Sequence, residues 1–247
     1  MSLGVKILAK LWLLFFLVTI VVIGFTFSVP FFFPVLALSK VFPRLRGVPD
    51  RILYIGIYFL MWVQPWFNAE IAIELPKNHR QGVLLVSNHR SHLDVFVLLA
   101  RITGIRVLAK STLFKIPFLS LMMRATRQIG VERGHLSAWV KAMDEVKLRL
   151  RAGERVHVFP EMTRCTSGFQ GVQSFTLGPF LAALQEDAVV IPLVFKDTDR
   201  VWPKGQVGLN WREPVQVRTL SHLRARDFAS AELLKAEAHR QIEQALR

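Results

Sequence analysis

A chain of 247 residues is long enough for one ordinary domain with an appendage, and 32 Lys and Arg against 18 Asp and Glu leave a formal charge of +14. So basic a chain needs an anionic partner; its 52% hydrophobic content and its lack of a reading motif favour anionic membrane lipid over nucleic acid. The single cysteine, Cys165, excludes an internal disulfide and a multi-cysteine metal site, consistent with a reducing compartment.

Residues 11–39 carry no charge, and 11–29 alone supply the roughly 20 apolar residues of a bilayer span. A cleaved signal peptide is the alternative, but the run exceeds the usual apolar core of such leaders and lacks a clear small-residue cleavage site. Pro30 and Pro34 should end or kink the helix near Val29. A second apolar segment follows at 52–67. Lys6 and Lys10 precede the first segment while Arg44, Arg46 and Arg51 follow it, so both ends favour the cytoplasmic side. The expectation is a membrane anchor over residues 1–68, either a bent or two-helix re-entrant motif in one leaflet or a single span. A catalytic domain over 69–247 would then sit on the cytoplasmic face of an inner or plasma membrane. Trp62 and Trp66 suit interface depth or packing against the domain.

Past Asn68, short β-like runs alternate with helical stretches. Strands are predicted at 71–75, 83–87, 106–109, 128–132, 155–159 and 189–195, and helices at 93–101, 117–126, 136–151 and 175–184. That alternation predicts an α/β fold, a mixed sheet flanked by helices. The third helix has the best pattern, with Trp139, Met143, Val146 and Leu150 at helical spacing and Gly153 just beyond its end. Residues 207–220 look like a strand pair, and 231–246 like an amphipathic helix.

Two segments carry chemistry. The run NHRSHLD, starting at Asn88, sets His89 and Asp94 five positions apart where a strand becomes a helix. A neutral imidazole there can act as a base, and a carboxylate on its other ring nitrogen would fix the tautomer. Ser91 and Asp94 equally fit a helix cap followed by an acid. The run RVHVFPEMTRC, ending at Cys165, is a strand stopped by Pro160 that delivers Glu161, Thr163 and Arg164 into a loop. Arg164 could grip a phosphate and Glu161 could orient it or accept from a substrate hydroxyl; a plain loop salt bridge between them is the simpler reading.

In order and spacing, the two segments together resemble the glycerolipid acyltransferase family typified by 1-acylglycerol-3-phosphate acyltransferases. The resemblance runs over about residues 82–195. It places the family's histidine and aspartate on His89 and Asp94, its acceptor-binding arginine on Arg133 in GVER, its glutamate and arginine on Glu161 and Arg164 in FPEMTR, and its strand proline on Pro192. Lys110 opens the stretch leading to Pro117. Two departures stand out. Met162 occupies a glycine position, and Thr176 stands in FTLG where the family has Phe-Lys-x-Gly, so the acceptor pocket is expected to be reshaped.

What the resemblance implies is an O-acyltransferase moving an acyl chain from acyl-CoA or acyl carrier protein to a lysophospholipid hydroxyl. The expected acceptor is 1-acylglycerol-3-phosphate and the product phosphatidic acid. His89 would be the general base with Asp94 orienting it, while Arg133, Arg164, Glu161, Thr163 and Lys110 would bind substrate. No metal, cofactor or acyl-enzyme on Cys165 is required. His92 is a competing base, and backbone N–H groups near Ser91 are candidate oxyanion donors. A different lysolipid acceptor, such as a lyso-aminolipid, is an alternative within the family. A non-catalytic, membrane-anchored binding protein is the alternative outside it.

Overall fold

A computed structural model of the chain describes residues 3–76, 81–132, 134–166, 168–211 and 213–247, with residues 27–29 described in backbone only. The apolar N-terminus forms helix α1 (Leu3–Phe27), a π-turn (Ser28–Phe32) and helix α2 (Phe33–Val41). The break falls where Pro30 and Pro34 remove backbone donors. Helix α3 (Val48–Trp62) follows, opened by Pro49 in its first turn. Among the described residues, Leu3–Val41 is the one helical run long and apolar enough to cross a membrane.

The remainder is a mixed α/β sheet flanked by helices, as the alternation of elements implied. Its strands are β1 (Asn68–Ala72), β2 (Val83–Ser87), β3 (Ile105–Lys110), β4 (Ile129–Val131), β5 (Arg155–Val158), β6 (Val189–Lys196), β7 (Pro214–Thr219) and β8 (Leu223–Arg224). They lie in the order β1-β7-β6-β2-β5-β3-β4, with β8 beside β6. β2, β3, β4, β5 and β6 run parallel, and β7 is antiparallel to β6. The helices are α4 (Leu93–Arg101), α5 (Pro117–Ala125), α6 (Leu136–Arg151), α7 (Gly178–Gln185), the short α8 (Thr198–Val201) and α9 (Ala231–Leu246).

Two cores cover the two sheet faces, and alternation along each strand sorts residues between them. Leu84 and Val86 of β2 join Val156, Val158, Val190 and Val194 beneath α6, α7 and α9. Val83 and Leu85 join Val107, Ile191 and Phe195 on the face covered by α1, α3 and α4. Every residue of β2 is therefore buried, the signature of a central parallel strand. Gly82 permits close entry into this strand, since a Cβ there would lie 2.2 Å from the Leu150 carbonyl oxygen.

The N-terminal helices share the second core. Fully buried Phe16 of α1 meets Trp66, Phe96 and Trp202 edge to face, while Leu11, Leu14, Val18, Val21 and Phe25 are exposed. Of the tryptophans Trp62 and Trp66, Trp66 is a core residue and Trp62 is exposed. Helix α3 is also held by charge: Asp50 accepts from both terminal nitrogens of buried Arg106 at 2.6 and 2.9 Å, and Glu154 accepts from its Nε at 2.6 Å.

The expected strand pair at 207–220 is a correction. β7 begins only at Pro214 and pairs with β1 and β6, its own successor β8 lying elsewhere along β6. The preceding residues dock on α1 instead, with Leu209 N–H bonded to the Ala9 carbonyl at 2.9 Å and Trp211 packed on Trp12. The helix expected over 175–184 starts at Gly178, because Thr176 is tied back to Pro160.

Candidate active site

Parallel strands send their C-terminal ends to one edge, where ligands of α/β sheets gather. β2 delivers Asn88 and His89 there, and its neighbour β5 delivers Phe159 to Glu161. Asn88 is buried and seals the gap to β6, donating to the Phe195 carbonyl at 2.8 Å and accepting from the Phe195 N–H at 2.9 Å.

His89 and Asp94 are brought together. Nδ1 of His89 lies 2.9 Å from Oδ2 of Asp94, whose side chain is fully buried. The same oxygen accepts from the backbone N–H groups of Arg90 and Ser91 at 2.8 and 2.9 Å. Ser91 Oγ in turn accepts from Leu93 N–H at 3.2 Å and donates to the Trp202 carbonyl at 3.1 Å. One carboxylate thus orients the imidazole and ties down the turn that precedes α4, while His92, the N-cap residue of that helix, makes no side-chain cap bond. The N–H groups of Arg90 and Ser91, two of those near the helix start, are thus engaged by Asp94. The His89 ring lies on Phe159, centroids 3.8 Å apart, and Phe159 meets buried His157 edge on at 4.4 Å. Nε2 of His157 is 2.9 Å from Ser87 Oγ, and burial followed by the His89 charge holds that imidazole down at about 3, hence neutral.

Glu161, 8% exposed, reaches the His89 loop from the other side. Its Oε1 accepts from the His89 N–H at 3.4 Å and its Oε2 from Gln173 Nε2 at 2.6 Å. Burial pushes this carboxyl up to about 7, with the Asp94 charge adding to the rise and the hydrogen bonds from Gln173 and His89 opposing it. Thr163 is exposed, and its carbonyl also accepts from Gln173, at 3.2 Å. Arg164 stands near His92: partial desolvation first, then the Arg164 and His89 charges, lower the His92 imidazole to about 4. His92 leans on Trp202, with ring centroids 5.1 Å apart, and has Asp94 only as a charge nearby. Lys110 is exposed at the end of β3, two strands from β2 on the same edge. Arg133 lies outside the described residues. Cys165 is buried, its N–H bonded to the His89 carbonyl at 2.9 Å, and burial raises its thiol above the usual range.

The two departures from the family pattern lie in the loop after β5 and in the segment before α7. Met162 does adopt the left-handed backbone expected of a glycine, with φ 59°, but its side chain packs against the core under α6 and α7. Thr176 donates its hydroxyl to the Pro160 carbonyl at 3.1 Å. At both positions the loop is braced from within. Sequence reasoning missed Gln173, Asn88 and the buried pair of Arg90 with Asp199, 2.7 Å apart. Asn88 and Arg90 were visible inside NHRSHLD, but nothing local marks Gln173 or Asp199 as their or Glu161's neighbours. Beyond Arg90 an open polar cleft of about 560 Å³ is lined by Lys196, Asp199, Arg200 and Asn210 among others. Among the described residues no group of three or more His, Cys, Asp and Glu is placed to hold a metal ion.

Residues 70–196 match the family model described as Acyltransferase. Over 142 residues the chain is 30% identical to the chloroplastic 1-acyl-sn-glycerol-3-phosphate acyltransferase LPAT1 of Arabidopsis thaliana, covering 58% of this chain and 39% of that protein. Over 148 residues it is 26% identical to the chloroplastic 1-acyl-sn-glycerol-3-phosphate acyltransferase BAT2 of Brassica napus, covering 60% and 42%. The matched region thus spans about two fifths of the length of these relatives. The fold is similar to that of the 1-acyl-sn-glycerophosphate acyltransferase PlsC from Thermotoga maritima, with a TM-score of 0.70 at 19% identity, over 98% of this chain and 94% of that one.

Proposed function

We propose that this chain, which belongs to the acyltransferase family, moves an acyl group from a thioester donor, acyl-CoA or acyl carrier protein, to the free hydroxyl of 1-acylglycerol-3-phosphate. The observation that carries the reading is the His89–Asp94 pair: Nδ1 is engaged by a buried carboxylate at 2.9 Å, which sets Nε2 as the proton acceptor. The acceptor hydroxyl gives its proton to Nε2 as its oxygen bonds to the thioester carbon. The resulting oxyanion collapses, the carbon–sulfur bond breaks, and the imidazolium returns the proton to the departing thiolate. Asp94 stabilises the imidazolium throughout, and Phe159 fixes the plane of the ring. Arg164 and Lys110 would meet the acceptor's phosphate, with Arg133 assigned the same role by the family motif. The donor serves as a substrate, and the chemistry calls for no resident cofactor.

The exposed apolar faces of α1 and α2 suit a helical anchor at a membrane surface, with the flanking lysines and arginines facing the cytoplasm and anionic lipid. Such an anchor holds the site where a lysolipid's head group can reach it, since Phe16 of α1 packs beside Trp202 and Phe96 of the site's own elements.

The test is turnover of a labelled acyl thioester against a panel of lysolipids by the purified chain. The reading requires transfer to 1-acylglycerol-3-phosphate; preference for an acceptor without a phosphomonoester would replace that acceptor assignment, and no transfer to any acceptor would defeat the reading altogether.

A further inference from the structure

We infer that Gln173 is a positioning residue that clamps Glu161 against the peptide of the histidine His89, an inference that rests on the acyl-transfer reading above. The segment 172–176 lies along the Pro160–Thr163 turn as a strap fastened at both ends. At one end Gln173 Nε2 donates to Glu161 Oε2 at 2.6 Å and reaches the Thr163 carbonyl at 3.2 Å. At the other, the N–H and hydroxyl of Thr176 converge on the Pro160 carbonyl at 2.9 and 3.1 Å. Between them Phe175 is buried and stacked on Phe180, which seats the strap on the core. Glu161 is thereby bracketed at the residue before it and two residues after it, and its free oxygen is turned toward the His89 N–H at 3.4 Å.

The bracket bears on charge as well as direction. Groups facing Glu161 are the His89 N–H and the Asp94 carboxylate from the β2–α4 corner, and Cys165 from its own loop. The strap contributes the side-chain amide of Gln173 together with its backbone N–H, and no cation. A cation at position 173 would hold Glu161 ionised over the whole working range, and an apolar residue would leave a buried carboxyl facing Asp94 with fewer donors. A neutral donor keeps the carboxylate populated while letting it titrate close to neutral pH. Thr176 is turned to Pro160, and Gln173 supplies the side-chain contact to Glu161.

The experiment compares the full chain with Gln173→Leu, Gln173→Ser, Gln173→Lys, Glu161→Gln and the double variant Glu161→Gln/Gln173→Leu. The readouts are kcat/KM for 1-acylglycerol-3-phosphate from pH 5.5 to 9, and the Glu161 side-chain carboxyl followed by carbon-13 NMR. Removing a donor to the ionised form raises the carboxyl, so Gln173→Leu and Gln173→Ser should move the acid limb and the NMR midpoint upward by about one pH unit. Gln173→Lys should move both downward. Adding Gln173→Leu to Glu161→Gln should produce no further shift of the limb. An unchanged NMR midpoint in the Leu and Ser variants, or an equal limb shift in the Glu161→Gln background, overturns the clamp. If the unmodified chain turns over no lysolipid, the acyl-transfer reading fails, and the NMR midpoints still decide whether Gln173 controls Glu161.

Discussion

Replacing Asp94 by asparagine removes a charge while sparing most of the geometry. An asparagine whose oxygen takes the place of Oδ2 still accepts from His89 Nδ1 and from the N–H groups of Arg90 and Ser91, now at 2.9, 2.8 and 2.9 Å. Its NH2 falls where Oδ1 is buried without a hydrogen-bond partner, an unsatisfied donor that costs about 1–2 kcal/mol of stability. Under the proposed mechanism the larger loss is in the transition state, when His89 would carry a positive charge. At the observed 2.9 Å and an effective dielectric of about 20, the imidazolium–carboxylate attraction is about 6 kcal/mol. The dipole of the amide retains part of it, so a net loss of about 4 kcal/mol lowers kcat by roughly 10³-fold. The assay is single-turnover transfer from a labelled thioester under saturating acceptor, with urea unfolding on the same samples. A fall smaller than tenfold in a protein that unfolds normally would refute the assignment, because the charge would then not be felt at the base. Asp94→Ala provides the contrast: it also frees two buried N–H groups, so its stability should drop by several kcal/mol.

His157 is neutral in the fold and ionisable when unfolded, so between pH 6.5 and about 3 the unfolded chain binds the extra proton and stability falls as pH falls. His157→Gln should flatten that part of the stability–pH curve measured by urea unfolding, and an unaltered slope would contradict a buried neutral imidazole. Asp50→Ala leaves Arg106, 3% exposed in its side chain, with Glu154 as its charged partner among the described residues and the Thr126 carbonyl as a further acceptor; a loss of about 1–3 kcal/mol is expected, with earlier proteolysis around α3. Met162→Gly relieves a left-handed backbone but removes a side chain packed on the core, so unfolding should shift by no more than about 2 kcal/mol. The ranking of lysolipid acceptors should stay as in the parent chain, and a changed ranking in the same panel would place Met162 in the cleft after all.

How much of this was legible follows from the range of each interaction. Periodicity and punctuation are local, and β2, α4, α6 and α9 stand where the pattern put them, the strand as an unbroken apolar run and the helices as stripes at helical spacing. The break after Phe27 was equally visible, because a proline acts on its own backbone. The pairing of His89 with Asp94 was readable too, since a separation of five residues across a strand-to-helix corner brings the side chains together without help from elsewhere. Only tertiary structure decided what depends on distant partners. It placed Phe16 of the apolar helix against Trp66 and Trp202, sent residues 207–211 to α1 instead of into a strand, and turned Met162 inward. It also brought Gln173 back onto Glu161 and Asp199 onto Arg90. In every one of these cases the partner lies far along the chain or around an irregular loop, where spacing carries no directional information and the sheet's crossovers determine which side chains meet.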